Sequence, residues 1–321
     1  MREFDLVAQL TERLRARRGD TRLAIGDDAA VIAPPSGQEV AVTIDTLIAG
    51  RHFPADTPAF DIGYKALAVN LSDLAAMGAQ PAWATIALAV PELEAAWCDA
   101  FIDGAQAAIG DAEVDIVGGD TTRGALSVTV TAIGLLPAGR AITRAGACVG
   151  DAIAVTGTLG DAALGLDYWP EYVDAADAPR DIAYLLSRLS RPDWRAGAAV
   201  RDLAHAAIDV SDGLAADLGH ILAASGVGAC IDVDALPASG SLCRCVGSAD
   251  ARRRLQLTGG DDYELCIVLP HAQLGAAAAL LGCRLTCIGT IEAEPGLRRV
   301  DDRGVTVPIP GYAEAGWDHF A

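Results

Sequence analysis

Gly118-Gly-Asp-Thr-Thr122 follows the strand-like run Val114–Val117, and Gly259-Gly-Asp-Asp-Tyr263 leads into Glu264-Leu-Cys-Ile-Val-Leu269. Each half of the chain thus sets a Gly-Gly-Asp turn beside an apolar strand, which points to a duplicated architecture, although such turns are common. Working outward from the first turn, strands are expected at Glu39–Asp45, Trp83–Val90 and Leu126–Leu136. Helical periodicity marks Phe4–Arg17, Leu93–Ile109 and Ile62–Met77, the last stopped by Gly78 and Pro81.

The turn-rich stretches Pro137–Arg140 and Ala145–Gly150 place a join between an N-terminal domain, 1–140, and a C-terminal domain, 141–321. Around the second turn the alternation resumes, with strands at Ala152–Val155, Ala229–Val233, Glu264–Leu269 and Leu285–Ile291. Helices are expected from Asp161, over Ile182–Leu189 and Trp194–His205, and from Leu214. This order predicts the α/β class, or an α+β sandwich, with sheets covered by helices.

Composition narrows the function. In 321 residues with 52% hydrophobic content, no apolar run is long enough to cross a bilayer, so a soluble protein with a sizeable core is expected. Met1-Arg-Glu-Phe-Asp-Leu-Val-Ala lacks the basic and apolar segments of a signal peptide, and a cytoplasmic location follows. A net charge of −19 argues against nucleic acid as a partner. The cysteine pairs Cys243/Cys245 and Cys283/Cys287 do not have zinc-knuckle spacing, and the eight cysteines read as reduced structural thiols.

Acids recur where elements end. They include Asp27 and Asp28 in Ile25-Gly-Asp-Asp-Ala-Ala-Val-Ile32, Asp45, Asp120, Asp209 and Asp212 in Ile-Asp-Val-Ser-Asp-Gly213, and Asp261 with Asp262. Asp73 joins them, one helical turn after Asn70. Any one of them alone can be a turn or a helix cap, and Asp301-Asp302 between two short strands reads as a hairpin turn. Carboxylates converging on one rim would repel one another unless cations lay between them. Magnesium suits distributed aspartates and phosphate ligands, whereas a calcium loop would need its acids within twelve residues.

Common phosphate-binding devices are missing. The sole lysine, Lys65 in Gly63-Tyr-Lys-Ala66, cannot serve a Walker loop, and no protein-kinase catalytic loop is present. Val155-Thr-Gly-Thr-Leu-Gly160 follows a strand and opens a helix; it is either an anion cradle or a plain structural turn. Arg123 and Arg144 could fork a phosphate or simply meet solvent. Val210-Ser-Asp-Gly213 lacks the first glycine of a nucleophile elbow. His52 and His319 stand beside glycine and aromatic residues, where they could be packed or functional.

Seven stretches in order resemble the thiamine-monophosphate kinase family. They are Ile25–Val31, Asp45–Phe53, Tyr64–Ala79, Gly118–Gly124, Ala207–Leu214, Gly259–Cys266 and Gly316-Trp-Asp-His-Phe320, and they span nearly the whole chain. The resemblance implies the two-domain fold of aminoimidazole ribonucleotide synthetase, with N-terminal ATP- and metal-binding domains paired in a homodimer. It implies a magnesium-dependent enzyme that phosphorylates thiamine monophosphate to thiamine diphosphate with ATP.

Carried over residue by residue, Asp28, Asp45, Asp73, Asp120, Asp209 and Asp212 would hold magnesium, with Thr43 and the Ile44 backbone in support. Gly119, Asp120, Arg144 and Ser211 would contact ATP, and His52, Asp261 and Trp317 the substrate. The family often has Glu at the position of Asp261, whose shorter side chain loses about 1.5 Å of reach. Ile44 replaces a residue that can carry a hydroxyl, so only its backbone carbonyl is offered. The acceptor phosphate is already anionic, so direct in-line transfer needs no side-chain base. Rival readings are a cyclising synthetase on the same fold and a non-catalytic nucleotide or magnesium sensor.

Overall fold

The computed structural model describes residues 11–14, 16–172, 177–300 and 305–309. Most of the helix expected over Phe4–Arg17, the Asp301-Asp302 turn, Trp317 and His319 lie outside the described residues. Contacts divide the chain into two compact units, Met1–Leu74 with Ala79–Arg140, and Ala75–Gly78 with Ala141–Ala321.

The first unit is built on a four-stranded sheet. Its strands are β3 (Gln38–Ile48), β4 (Gln80–Val90), β5 (Asp115–Arg123) and β6 (Ser127–Pro137), after a short ribbon of β1 (Thr21–Leu23) and β2 (Val31–Ile32). The sheet order is β3-β6-β4-β5, with only β4 and β5 parallel. Alternation along β3 turns Ala41, Thr43, Asp45 and Leu47 toward the interior and Val40, Val42, Ile44 and Ile48 outward.

Helix α1 (Ala59–Ala76), as far as Leu74, and helix α2 (Ala95–Ile109) belong to the same unit. They approach closely because both carry glycine at the contact. A Cβ on Gly63 would lie 2.0 Å from the Phe101 carbonyl oxygen, and one on Gly104 would lie 1.8 Å from that of Phe60. Most of α1 is buried, so its polar residues require partners. Lys65 Nζ donates to the His52 carbonyl at 3.3 Å and Asn70 Nδ2 to the Ala66 carbonyl at 3.0 Å.

The N-terminal segment is sewn to this sheet. Asp115 accepts the N–H groups of Arg17 and Arg18 and the Thr21 hydroxyl, while buried Trp83 donates Nε1–H to Thr21 at 2.9 Å. Ala30 and Ile32 then pack against Trp83 and Val117, which fixes the turn containing Asp27 and Asp28.

The second unit holds a seven-stranded sheet of β7 (Ala152–Thr156), β8 (Ala206–Asp209), β9 (Gly228–Ile231), β10 (Leu265–Leu269), β11 (Leu285–Glu292), β12 (Gly296–Val300) and β13 (Thr306–Pro308). Its order is β13-β12-β9-β11-β7-β10-β8. Among the described residues six α-helices accompany it: α3 (Asp161–Tyr168), α4 (Arg180–Ser190), α5 (Leu214–Ser225), α6 (Gly240–Cys245), α7 (Ala249–Thr258) and α8 (Leu274–Leu281). β7 and β10 are buried along their whole length, and Ile153, Val155, Leu214, Leu218, Ile221 and Val268 share one core cluster.

Three expectations change. Gly118-Gly-Asp is not a turn but the middle of β5, where a Cβ on Gly119 would sit 1.9 Å from the Ile86 carbonyl oxygen. Gly259-Gly-Asp is a loop, so the two motifs are not structural equivalents. Trp194–His205 forms only a short 3-10 turn, Gly197–Val200. Its residues are pulled to separate anchors: Arg195 reaches Glu264, Arg201 donates to the Gly78 carbonyl, and Gly197 packs where a Cβ would lie 1.9 Å from the Ala75 carbonyl oxygen.

Candidate active site

In the first unit, β3 and α1 bring three of the sequence-selected residues together. Thr43 and Asp45 point inward, and the Thr43 hydroxyl donates to Asp73 Oδ2 at 2.5 Å. Asp45 lies close enough to Asp73 for the two carboxyl groups to act on each other. Burial first, and then the Asp73 charge, push Asp45 up to about 7. One helical turn before Asp73, Asn70 Oδ1 is buried without a hydrogen-bond partner.

Other members of the first unit's set lie elsewhere. Register places Asp45, Val130, Ile86 and Gly119 on one rung, so Asp45 and Gly119 stand at opposite sheet edges. Three strand spacings, about 14 Å, separate those edges. Asp120 is the next residue along β5 and is exposed. Asp28 is also exposed, and Asp27 spends a carboxylate oxygen on the Asp28 N–H at 2.9 Å. The Ile44 side chain is 63% exposed on edge strand β3 and takes no part in a polar site. His52 Nδ1 accepts the Ile48 N–H at 3.0 Å, so the neutral imidazole carries its proton on Nε2, where it can donate to an anion.

In the second unit a different acidic group forms where β8 ends. Asp209 is buried at the strand's last position, Asp212 follows in the loop, and Asp217 lies in the first turn of α5. Asp217 Oδ2 accepts the N–H groups of Ser211, Asp212 and Gly213, each at 3.1 Å. Burial and the charges of Asp212 and Asp209 nevertheless push Asp217 up to about 8. Sequence reading passed over Asp217; its place one turn into the helix after Asp212-Gly213 was the available signal.

The same loop holds the Gly259–Tyr263 segment. Asp261 N–H donates to the Ser211 carbonyl at 2.9 Å and Tyr263 N–H to that of Val210 at 2.8 Å. Both Asp261 and Tyr263 adopt left-handed backbone (φ 66° and 51°), and the Tyr263 hydroxyl bonds Asp261 Oδ1 at 3.1 Å. Ser211, Asp212, Asp217 and Asp261 therefore form one assembly. Arg144 is exposed on the 141–150 segment, held by its carbonyl, which accepts from Ser225 Oγ at 3.2 Å. Arg123 Nε donates to the Pro91 carbonyl.

The glycine-spaced loop after β7 is a structural turn. Gly157 and Leu159 donate their N–H groups to the carbonyls of Arg284 and Pro237, and Gly160 donates to Asp262 Oδ2 at 2.8 Å. The α3 N-terminus is thus filled by the chain's own carboxyl group. Beside it, Glu264 is 1% exposed and accepts from Thr156 Oγ1, Arg188 and Arg195. Sequence reading missed this network, because its partners are 108, 76 and 69 residues apart.

Comparison with known proteins identifies the family of the chain. Residues 26–136 match the N-terminal domain of AIR synthase related proteins, and residues 149–302 match the C-terminal domain. The thiamine-monophosphate kinase of Salmonella typhimurium is 48% identical over 99% of this chain and 98% of its own. The chain belongs to the thiamine-monophosphate kinase family. A crystal structure of the enzyme from Stenotrophomonas maltophilia superposes with a TM-score of 0.86 at 48% identity, over 93% of this chain and 96% of that one. AaThiL complexed with AMPPCP and TMP superposes at 0.78 with 30% identity, covering 100% and 99%. Both domains of the family are therefore represented along the chain.

Proposed function

We propose that the chain transfers the γ-phosphoryl group of ATP to the phosphate of thiamine monophosphate, giving thiamine diphosphate, by direct in-line displacement. The Asp45–Asp73 contact carries this reading. Two carboxyl groups forced together, with a threonine hydroxyl and a partnerless buried amide oxygen close along the same helix, make an all-oxygen site suited to a hard divalent cation. The residues thus fit magnesium.

Several magnesium ions are implied: Asp45, Asp73, Thr43 and the Ile44 carbonyl would hold one in the first unit, Asp28 and Asp120 would serve others, and Asp209 with Asp212 would hold magnesium in the second. When bound, magnesium neutralises charge on phosphates that would otherwise repel by about 4 kcal/mol at 4 Å and an effective dielectric of 20. The chain's own task is orientation. Gly119, Asp120, Arg144 and Ser211 would lie against ATP, and His52 Nε2–H, Asp261 and Trp317 against the substrate. Asp217 would hold the Ser211–Gly213 backbone in place by gathering its three N–H groups. The acceptor oxygen is already ionised, so no side chain need take a proton.

The N-terminal domain, 1–140, would also form the homodimer. Val40, Val42, Ile44 and Ile48 expose an apolar face of β3 that a second copy can cover. Among the described residues no helix is long and apolar enough to cross a membrane, which agrees with a cytoplasmic enzyme.

Pure protein incubated with ATP, magnesium and thiamine monophosphate should form thiamine diphosphate. Absence of product across a wide magnesium range overturns the reading. Stereochemical inversion at a chirally labelled γ-phosphate is expected, whereas retention would require a covalent phosphoenzyme.

A further inference from the structure

Cys148, Asp151 and His205 meet at the other end of β8 from Asp209. His205 directly precedes that strand and Asp151 directly precedes β7, so the cluster sits about 13 Å, four strand residues, from the β8 acids. Each of the three residues brings one ligand atom to within 4.8 Å of the other two. Asp151 Oδ2 lies 2.8 Å from His205 Nδ1 and accepts the Cys148 backbone N–H at 2.8 Å. The carboxylate is nearly buried, whereas Cys148 and His205 reach solvent.

We infer that Cys148 Sγ, the His205 imidazole and the Asp151 carboxylate form a binding site for a borderline-soft divalent ion of the zinc class, distinct in chemistry from the oxygen-only site of the first unit. Thiolate with imidazole and carboxylate is a donor set that zinc accepts and magnesium does not. Tetrahedral bonds to such donors need ligand atoms about 3.3–3.7 Å apart. The Cys148 and His205 side chains, both open to solvent, would have to adjust to reach that range. Asp151 is oriented in advance by the Cys148 N–H, and water completes the shell.

Its consequence is mechanical. Residues 143–150 carry Arg144 and are tied to the unit by Ser225 Oγ, which accepts from Gly146 and Ala147 and donates to the Arg144 carbonyl. A metal on Cys148 adds a tie from this segment to the starts of β7 and β8. The thiol loses its proton to solvent on binding.

Cobalt(II), a spectroscopic substitute for zinc, tests the site in the full-length protein. One equivalent should produce the near-ultraviolet absorption of a metal thiolate, unaffected by excess magnesium. Cys148→Ser should abolish that band, and His205→Ala should weaken cobalt binding at least about tenfold. Stoichiometric zinc should raise the melting temperature of the wild type and not of Cys148→Ser. No band at equimolar cobalt, a band that survives Cys148→Ser and so arises at another thiol, or unchanged affinity in His205→Ala each overturns the assignment.

Discussion

Asp73 on α1 accepts the Thr43 hydroxyl of β3 at 2.5 Å, and its charge acts on Asp45, two residues further along the same strand. Two acids so placed oppose each other unless a proton or a cation lies between them. Asp45→Ala should therefore leave the circular dichroism spectrum unchanged and lower kcat by roughly 10²–10³-fold, the loss expected for a strong electrostatic contributor. Near-normal turnover removes Asp45 from the metal set.

The same pair sets a pH dependence. The folded-state value of Asp45 is raised to about 7 from an ordinary 3.8, so its contribution to stability is complete below pH 4 and is lost as pH rises through 7. In EDTA, the melting temperature of the wild type should fall relative to that of Asp45→Asn between pH 5 and pH 8. Magnesium should restore it most strongly at the upper end. Parallel wild-type and variant curves in EDTA contradict the pairing.

Glu264 is the common acceptor for two guanidinium groups. Burial is the largest single influence on Arg188 and Arg195 and would lower both values, yet Glu264 together with the neighbouring acid Asp193 keeps both above the arginine norm. Glu264→Gln leaves those charges under-compensated and should destabilise the second unit by about 3–5 kcal/mol. Urea unfolding followed by tryptophan fluorescence measures it.

Gly119 has no room for a methyl group beside the Ile86 carbonyl. Gly119→Ala should force β5 away from β4 at a cost of about 1–3 kcal/mol, and it should raise the KM for ATP as Asp120 moves with the strand. An unchanged KM together with unchanged stability is the contrary result.

Val42 is 63% exposed on the apolar face of β3. Val42→Asp places a charge there and should convert a dimer to monomers in sedimentation velocity, with the monomer's circular dichroism preserved. A wild-type protein that sediments as a monomer at micromolar concentration refutes pairing through this face.

Periodicity and punctuation made most elements legible along the chain. Apolar runs marked β3, β4 and β6 as strands, and the 3.6-residue pattern bounded by Gly78 and Pro81 identified α1. Both rest on interactions within a few residues. The acids were legible as a recurring residue type at element ends, and that Asp27 serves as a local cap could be read because its partner is the next residue.

Only the tertiary structure decided which acids touch. Asp45 meets Asp73 across 28 residues because β3 lies over α1, and Asp120 is held at the far edge by the order β3-β6-β4-β5. It also turned Gly118-Gly-Asp from a turn into a strand, in which Gly119 is required by the Ile86 backbone rather than by its own dihedral angles. The Cys148–Asp151–His205 cluster was hidden for the same reason. Cysteine spacing reports only ligands close in sequence, whereas His205 reaches Asp151 across 54 residues through strand pairing that no local pattern encodes.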